Sequence, residues 1–265
     1  MEPTAKAQEL KAPIRAVLAQ VQALSAEHVP FDPKHSERTF NFCVVDAGVI
    51  KLLPRLVGVL LKEAPGVRLT AVQVDAQHLE SWLQSGRLDF AMGSFPSLGK
   101  GTRRQRLWTE RYVSVVRRGH PRIRRRPSRR MFVAEKHVLV STAGTGHAHR
   151  AAERALERAL PPGNIVCRLP MFIGAAILAK HTDAVATLPR SVAAVLARDL
   201  DLELVLPPIR LPKIDIYQYW HERFHREARN QWIRAIFLSL FSEGRSESRS
   251  RTRRELPGPS GTRPG

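Results

Sequence analysis

The chain has 265 residues, 43% of them hydrophobic and 25% charged, enough apolar material for one large domain or two smaller lobes. No apolar run approaches the ~20 residues of a membrane-spanning helix, and MEPTAKAQEL lacks the apolar stretch and cleavage site of a secretory leader, so membrane association is excluded and a cytoplasmic protein is expected. The formal charge of +19 invites a nucleic-acid reading, but twelve arginines against one glutamate between Arg103 and Arg130, with the tail beyond Ser242, hold +14 of it; neither stretch has the interleaved aromatics of a base-stacking surface, and both read as a solvated loop and a tail.

In chain order, Ala7 to Leu24 places Ala7, Ile14 and Val21 at one heptad position and Leu10, Val17 and Leu24 at the other. That spacing predicts a helix with a narrow apolar seam that needs a partner helix. Residues 1–28 are read as a linker and dimerisation helix, with Leu10, Ile14, Val17, Val21 and Leu24 as the contact. Pro13 costs an internal helix roughly 3 kcal/mol and predicts a kink or a start at that point. Residues 29–38, with Pro30 and Pro33, read as a linker.

From Thr39 strands and helices alternate. Thr39–Val45 is predicted as a strand, followed by a turn at Gly48 and a helix over Ile50–Glu63. Val67–Val74 is a second strand, Gln77–Gln84 a helix, and Leu88–Met92 a short buried strand ending at Gly93. This βαβαβ order implies a parallel sheet. After the arginine-rich stretch the pattern repeats: strand His137–Val140, helix Ala148–Leu160, strand Ile165–Leu169, helix Phe172–Lys180, strand Ala184–Thr187 and helix Arg190–Leu200. Ile214–Trp220 is a late strand and Asn230–Leu240 a final amphipathic helix. Beyond Ser242 the composition cannot offset ordering entropy, and 243–265 is predicted to be a disordered basic tail.

The fold class is therefore α/β, with two Rossmann-like lobes preceded by a helix: residues 39–121 with 217–242 form lobe I and 122–216 lobe II. A cleft should lie at the carboxyl ends of the strands, lined by the loops Asp46–Val49, Gly93–Pro96, Thr142–His147, Met171–Phe172 and Thr187–Pro189. His147 either contacts a ligand there or caps the helix that follows. The loop around it lacks the Lys-Ser/Thr of a phosphate-binding loop. His221 and His225, four residues apart near Trp220, lack a bracketing carboxylate and read as surface or hinge residues rather than metal ligands. Cys43 and Cys167 sit in strand-like apolar runs and read as reduced, buried thiols. No cofactor motif and no catalytic triad or paired carboxylates are found, so neither a cofactor nor an enzyme is expected.

Several ordered motifs carry a more specific signal: Phe42–Leu60, SGRLDFAMGSF (Ser85–Phe95), ERYVSVVRRGHP (Glu110–Pro121), TGH (Thr145–His147), ATLPR (Ala186–Arg190) and YWHERFH (Tyr219–His225). Together, over residues 4–242, they resemble the effector-binding domain of LysR-type transcriptional regulators, most closely the subgroup that senses aromatic acids and nodulation flavonoids. The resemblance implies the periplasmic-binding-protein type II architecture, a homo-oligomer (dimer or tetramer), and a small aromatic effector clasped between the lobes. Its site would comprise Asp46, Ala47, Gly48, Val49, Gly93, Phe95, Pro96, Thr142, Thr145, His147, Met171, Phe172, Thr187 and His221. Ala47 and Met171 stand where relatives often place polar anchors, which points to an apolar or aromatic ligand. In that family DNA is read by a winged helix-turn-helix ahead of the linker helix; no such pattern is found in this sequence, so DNA contact is expected only through a domain this chain lacks. The alternative from another class is a cytoplasmic solute-binding protein with no role in transcription, which has the same two-lobed architecture.

Overall fold

The computed structural model describes residues 31–242, together with Lys6, Leu10, Pro13, Ile14 and Val17 of the N-terminal segment, all five of them helical. Val21 and Leu24 of the predicted seam, and the predicted tail, lie outside the described residues.

Two five-stranded sheets are built to the same plan. In the first, β1 (Thr39–Val44) lies between β2 (Arg68–Val72) and β3 (Phe90–Gly93) in parallel, and β10 (Ile214–His221) pairs antiparallel with both β3 and β4 (Thr102–Glu110). In the second, β6 (His137–Val140) lies parallel between β7 (Ile165–Leu169) and β8 (Val185–Pro189), while β5 (Tyr112–Arg117) runs antiparallel between β8 and β9 (Leu202–Val205). The sheets are thus mixed rather than wholly parallel. The antiparallel strands β5 and β10 each follow a crossing from one lobe to the other, which the right-handed βαβ rule does not govern.

Helices cover both faces of each sheet, which is why the central strands are continuous apolar runs. In lobe I, α1 (Asp46–Glu63) and α7 (Ala228–Phe241) pack on one face around Phe40, Phe42, Leu56 and Phe237, and α2 (Leu79–Ser85) on the other around Cys43, Leu83 and Leu88. In lobe II, α5 (Phe172–His181) and α6 (Arg190–Asp199) enclose Val115, Val138, Ala175 and Val192, while α3 (Arg129–Ala134) and α4 (Arg150–Ala159) cover Ile123, Phe132, Leu139 and Leu156.

Three expectations are corrected. The chain crosses between sheets at Arg111, not near residue 121, and returns at Ile214, not 217, because Tyr112–Arg117 is a central strand of the second sheet. The arginine-rich stretch is not one loop: Arg103, Arg104 and Arg106 lie on the edge strand β4, whose outward positions are exposed while Leu107 and Trp108 face the core. An edge strand tolerates such a charged face, and the Arg104 guanidinium sits 4.9 Å from the centre of the Tyr217 ring, so the arginine density hides a strand rather than excluding one. Finally, α1 starts at Asp46 and runs through the predicted Gly48 turn. Gly48 is needed there for closeness: a methyl group at that position would overlap the Val44 side chain.

Phe237 is fully buried and meets the Phe90 ring edge-on at 5.0 Å, clamping α7 onto the first sheet. Phe237→Ala should cost about 3–5 kcal/mol, read as a lower urea midpoint; a loss under 1 kcal/mol would mean that α7 is not part of the lobe I core.

Candidate functional site

The two lobes face each other across a cleft at the carboxyl ends of β1, β3 and β8. Its apolar wall draws Val44, Leu52, Met92, Trp108, Ile214 and Ile216 from lobe I and Phe172, Pro189 and Val192 from lobe II. The free volume in this closed arrangement is about 40 Å³, room for a few waters, whereas a cavity that accepts benzene is about 150 Å³.

Polar groups enter this wall at a few fixed points. Glu110, at the strand crossing, is buried and accepts hydrogen bonds from the Trp108 indole N–H (3.2 Å), the Arg111 amide (3.1 Å), the Ser191 amide (3.3 Å) and the Ser191 hydroxyl. Lys51 Nζ lies 3.5 Å from the centre of the Trp108 ring, a cation–π approach that keeps its charge beside an apolar wall.

On the opposite side sits a pair of buried imidazoles. His149 Nε2 is 3.0 Å from the Val140 carbonyl, which can only accept, so Nε2 carries the proton and Nδ1 accepts from the Tyr112 hydroxyl at 2.9 Å. His147 Nδ1 in turn accepts from the His149 amide at 3.1 Å, which leaves the ring proton on Nε2, and that atom is buried without a partner. Burial holds His147 down to about 3, with His149 a smaller contributor, and holds His149 down to about 4. Both rings are therefore neutral in the folded protein at ordinary pH. Burial likewise raises the Tyr112 hydroxyl to about 13, with the Glu110 charge adding to it, so Tyr112 serves as a donor.

Asp46 bridges the lobes. It opens α1, and its Oδ2 accepts from the Ile173 amide at the start of α5 at 3.0 Å, while Oδ1 is buried without a partner. Burial outweighs the surrounding amides and raises its carboxyl above the usual aspartate range. Two backbone bonds tie the loops further out: Ala148 donates to the Ser94 carbonyl at 2.8 Å, and Ala76 to the Gly144 carbonyl at 3.0 Å.

Of the residues read from the sequence as a site, Ala47, Gly48, Gly93, His147 and Phe172 line the cleft together. Gly93 has φ of 151°, a region that favours glycine, and a methyl there would press on Phe95 and His147 at 2.9–3.0 Å. Phe95 lies behind His147, edge-on at 5.4 Å. Pro96 and Thr142 line a separate outer depression, and the Thr145 hydroxyl donates to the Thr142 carbonyl at 2.7 Å.

Four predicted residues sit elsewhere. Val49 is exposed on α1, because one helical step past Gly48 turns away from the cleft. Met171 is also exposed, at the residue before α5. Thr187 is buried inside lobe II, bonded to Ser114 at 2.8 Å. His221 accepts from the Arg223 amide at 3.3 Å and caps a turn at the far end of β10.

The reading from loops alone missed Lys51, Trp108, Glu110, Tyr112, His149 and Ser191. Trp108, Glu110 and Tyr112 alternate in LWTERY across the crossing, the one signal that marked them as pointing one way.

Two lobes of identical strand order, joined by crossing strands and closed over an apolar cleft, define a two-lobed regulatory domain of the periplasmic-binding-protein type II kind. Residues 33–242 match the LysR substrate binding domain, and the chain belongs to that family. It is 32% identical over 243 residues to the HTH-type transcriptional activator NahR of Pseudomonas putida, covering 92% of this chain and 80% of that protein. It is 33% identical over 243 residues to the activator NagR of a Ralstonia species, with the same coverage. Among solved structures, a probable transcriptional regulator from Pseudomonas aeruginosa superposes with a TM-score of 0.70 at 32% identity, over 90% of this chain and 78% of that one. The regulatory domain of MexT, a transcriptional activator from the same species, superposes with a TM-score of 0.65 at 23% identity, over 77% and 99% of the two chains, and speaks to the fold alone.

The neutral imidazoles fix a pH dependence. In the unfolded chain His147 and His149 take up protons near their ordinary value of 6.5, whereas in the folded protein they do so only at about 3 and about 4. Their contribution is present above pH 6.5 and is lost as pH falls toward 4, each at up to ~1.4 kcal/mol per pH unit; buried His137, also lowered, adds in the same direction. Urea unfolding between pH 7.5 and 4.5 should show this slope, shallower by about one proton in His149→Gln. An identical slope in that variant would refute the assignment.

Proposed function

We propose that residues 31–242 are the effector-sensing part of a cytoplasmic LysR-type regulator of transcription, holding a small, flat aromatic or apolar molecule between the lobes. The observation that carries this reading is the interlobe cleft itself, apolar on both sides and interrupted by a few oriented donors: the His147 and Tyr112 sides, Lys51 and the Ser191–Glu110 pair. Ligand pockets of this composition take orientation from few polar groups and affinity from burial. Because the closed cleft is smaller than a benzene site, a ligand binds by shifting side chains or lobes, so occupancy and lobe arrangement are coupled. The domain acts by binding and carries out no reaction.

The remaining parts of the regulator follow from the same reading. Leu10, Ile14 and Val17 are helical and 43%, 52% and 57% exposed, consistent with a seam in residues 1–28 that pairs with a second copy. Operator DNA is read by a helix-turn-helix outside residues 31–242. The relatives are regulators of transcription, which favours this over a free-standing solute-binding protein.

Two measurements test it. In calorimetric titration, a hydroxybenzoate should bind the parent chain saturably, Ala47→Trp should weaken it at least tenfold by filling the cleft, and Ala47→Ser should strengthen it by adding a charge-assisted donor worth roughly 1.5–3 kcal/mol before desolvation. Equal binding by all three would place the ligand elsewhere. In sedimentation, deleting residues 1–28 should weaken self-association; an unchanged oligomer would remove the seam as the contact.

A further inference from the structure

Outside the central cleft, a second concavity of about 560 Å³ opens where Pro96 and Ser97 of lobe I face the loop 142–148 and the start of α4 in lobe II. The two interlobe backbone bonds, Ala148 to Ser94 and Ala76 to Gly144, hold its two sides together. Two of its lining residues carry hydrogen-bonding atoms that are buried and unpartnered: Thr142 Oγ1, in a side chain 4% exposed, and His147 Nε2, in a side chain 5% exposed. Nδ1 of His147 already accepts from the His149 amide, so the orphaned Nε2 is a donor. A hydroxyl and an N–H left buried without acceptors cost roughly 1–3 kcal/mol each, and both are satisfied at once by a ligand that only accepts.

The charge at this place has the matching sign. Arg150 and Arg154 line the same depression one helical turn apart. Arg150 is bonded to Glu153 at 3.2 Å, an acid shared with Arg168 at 3.8 Å, whereas Arg154 is exposed and makes no ion pair among the described residues. The N-terminus of α4 adds a partial positive charge at the same edge.

We propose that this depression binds a small tetrahedral oxyanion of the phosphate or sulfate class, accepting from Thr142 and His147 and neutralised by Arg154 and Arg150. Seated there, the anion would link the two lobes at the mouth of the cleft, through a site separate from the one proposed for the effector, with the His147 ring forming the wall between them.

The test is calorimetric titration of the full 265-residue chain with inorganic phosphate and with sulfate, at ionic strength held constant with chloride. The expected result is saturable binding that Thr142→Val and Arg154→Gln each weaken at least tenfold and that Thr142→Ser retains, with all three variants unfolding at temperatures close to the parent's. Hydroxybenzoate binding measured on the same variants should change less than twofold. Non-saturable heats, or equal anion binding by the parent, Thr142→Val and Arg154→Gln, would overturn the proposal. Anion binding that behaves as expected while hydroxybenzoate fails to bind any variant would instead count against the effector cleft alone.

Discussion

The structure turns on one buried carboxylate. At Glu110 the chain leaves one sheet and, after a single residue, enters the other as β5, so the geometry of the crossing decides how the two lobes face each other. Burying a carboxylate is costly unless its oxygens are saturated with donors. Here the indole of Trp108, two backbone amides and the Ser191 hydroxyl saturate them. Because Ser191 begins α6, these bonds also fix where that helix starts, and with it the positions of Pro189 and Val192 opposite Trp108. The wall of the cleft is thus a consequence of how one charge is solvated by the fold.

The same logic governs the opposite side. The Val140 carbonyl fixes the tautomer of His149, His149 orients Tyr112 through its hydroxyl, and the His149 amide fixes the tautomer of His147. Each bond removes a choice from the next group, so a site with few polar atoms still presents them in one arrangement. Low dielectric keeps both rings uncharged, which leaves Lys51 and Glu110 as the charged residues in the cleft lining.

Much of this was legible in the sequence, and the parts that were not share a cause. Strands buried on both faces, such as Phe90–Gly93 and Val185–Pro189, announce themselves as apolar runs, and the loops after them were found because α/β folds place ligands there. What pattern reading missed is what depends on crossing between lobes. β4 was masked by outward arginines, β5 by its place in the same charged stretch, and Trp108, Glu110 and Tyr112 by belonging to strands rather than to loops. Met171 and Thr187 were misplaced for a related reason: loop membership says nothing about which way a residue turns, and at Met171 the backbone points the side chain to solvent while at Thr187 it points into the sheet.

The crossing strands also order events in time. Every strand of the second sheet lies between Tyr112 and Val205, so that lobe closes from a continuous stretch of chain. The first sheet does not: β10 fits between β3 and β4, pairing Tyr219 with Ala91 and Ile214 with Glu110 across more than a hundred residues. During synthesis, the amino-terminal lobe therefore waits with β3 and β4 unpaired until the whole of its neighbour has emerged. High contact order of this kind slows folding, and exposed strand edges recruit other chains. The arginines on β4, which cost the sequence reading its strand, repel a second copy of that edge during the wait.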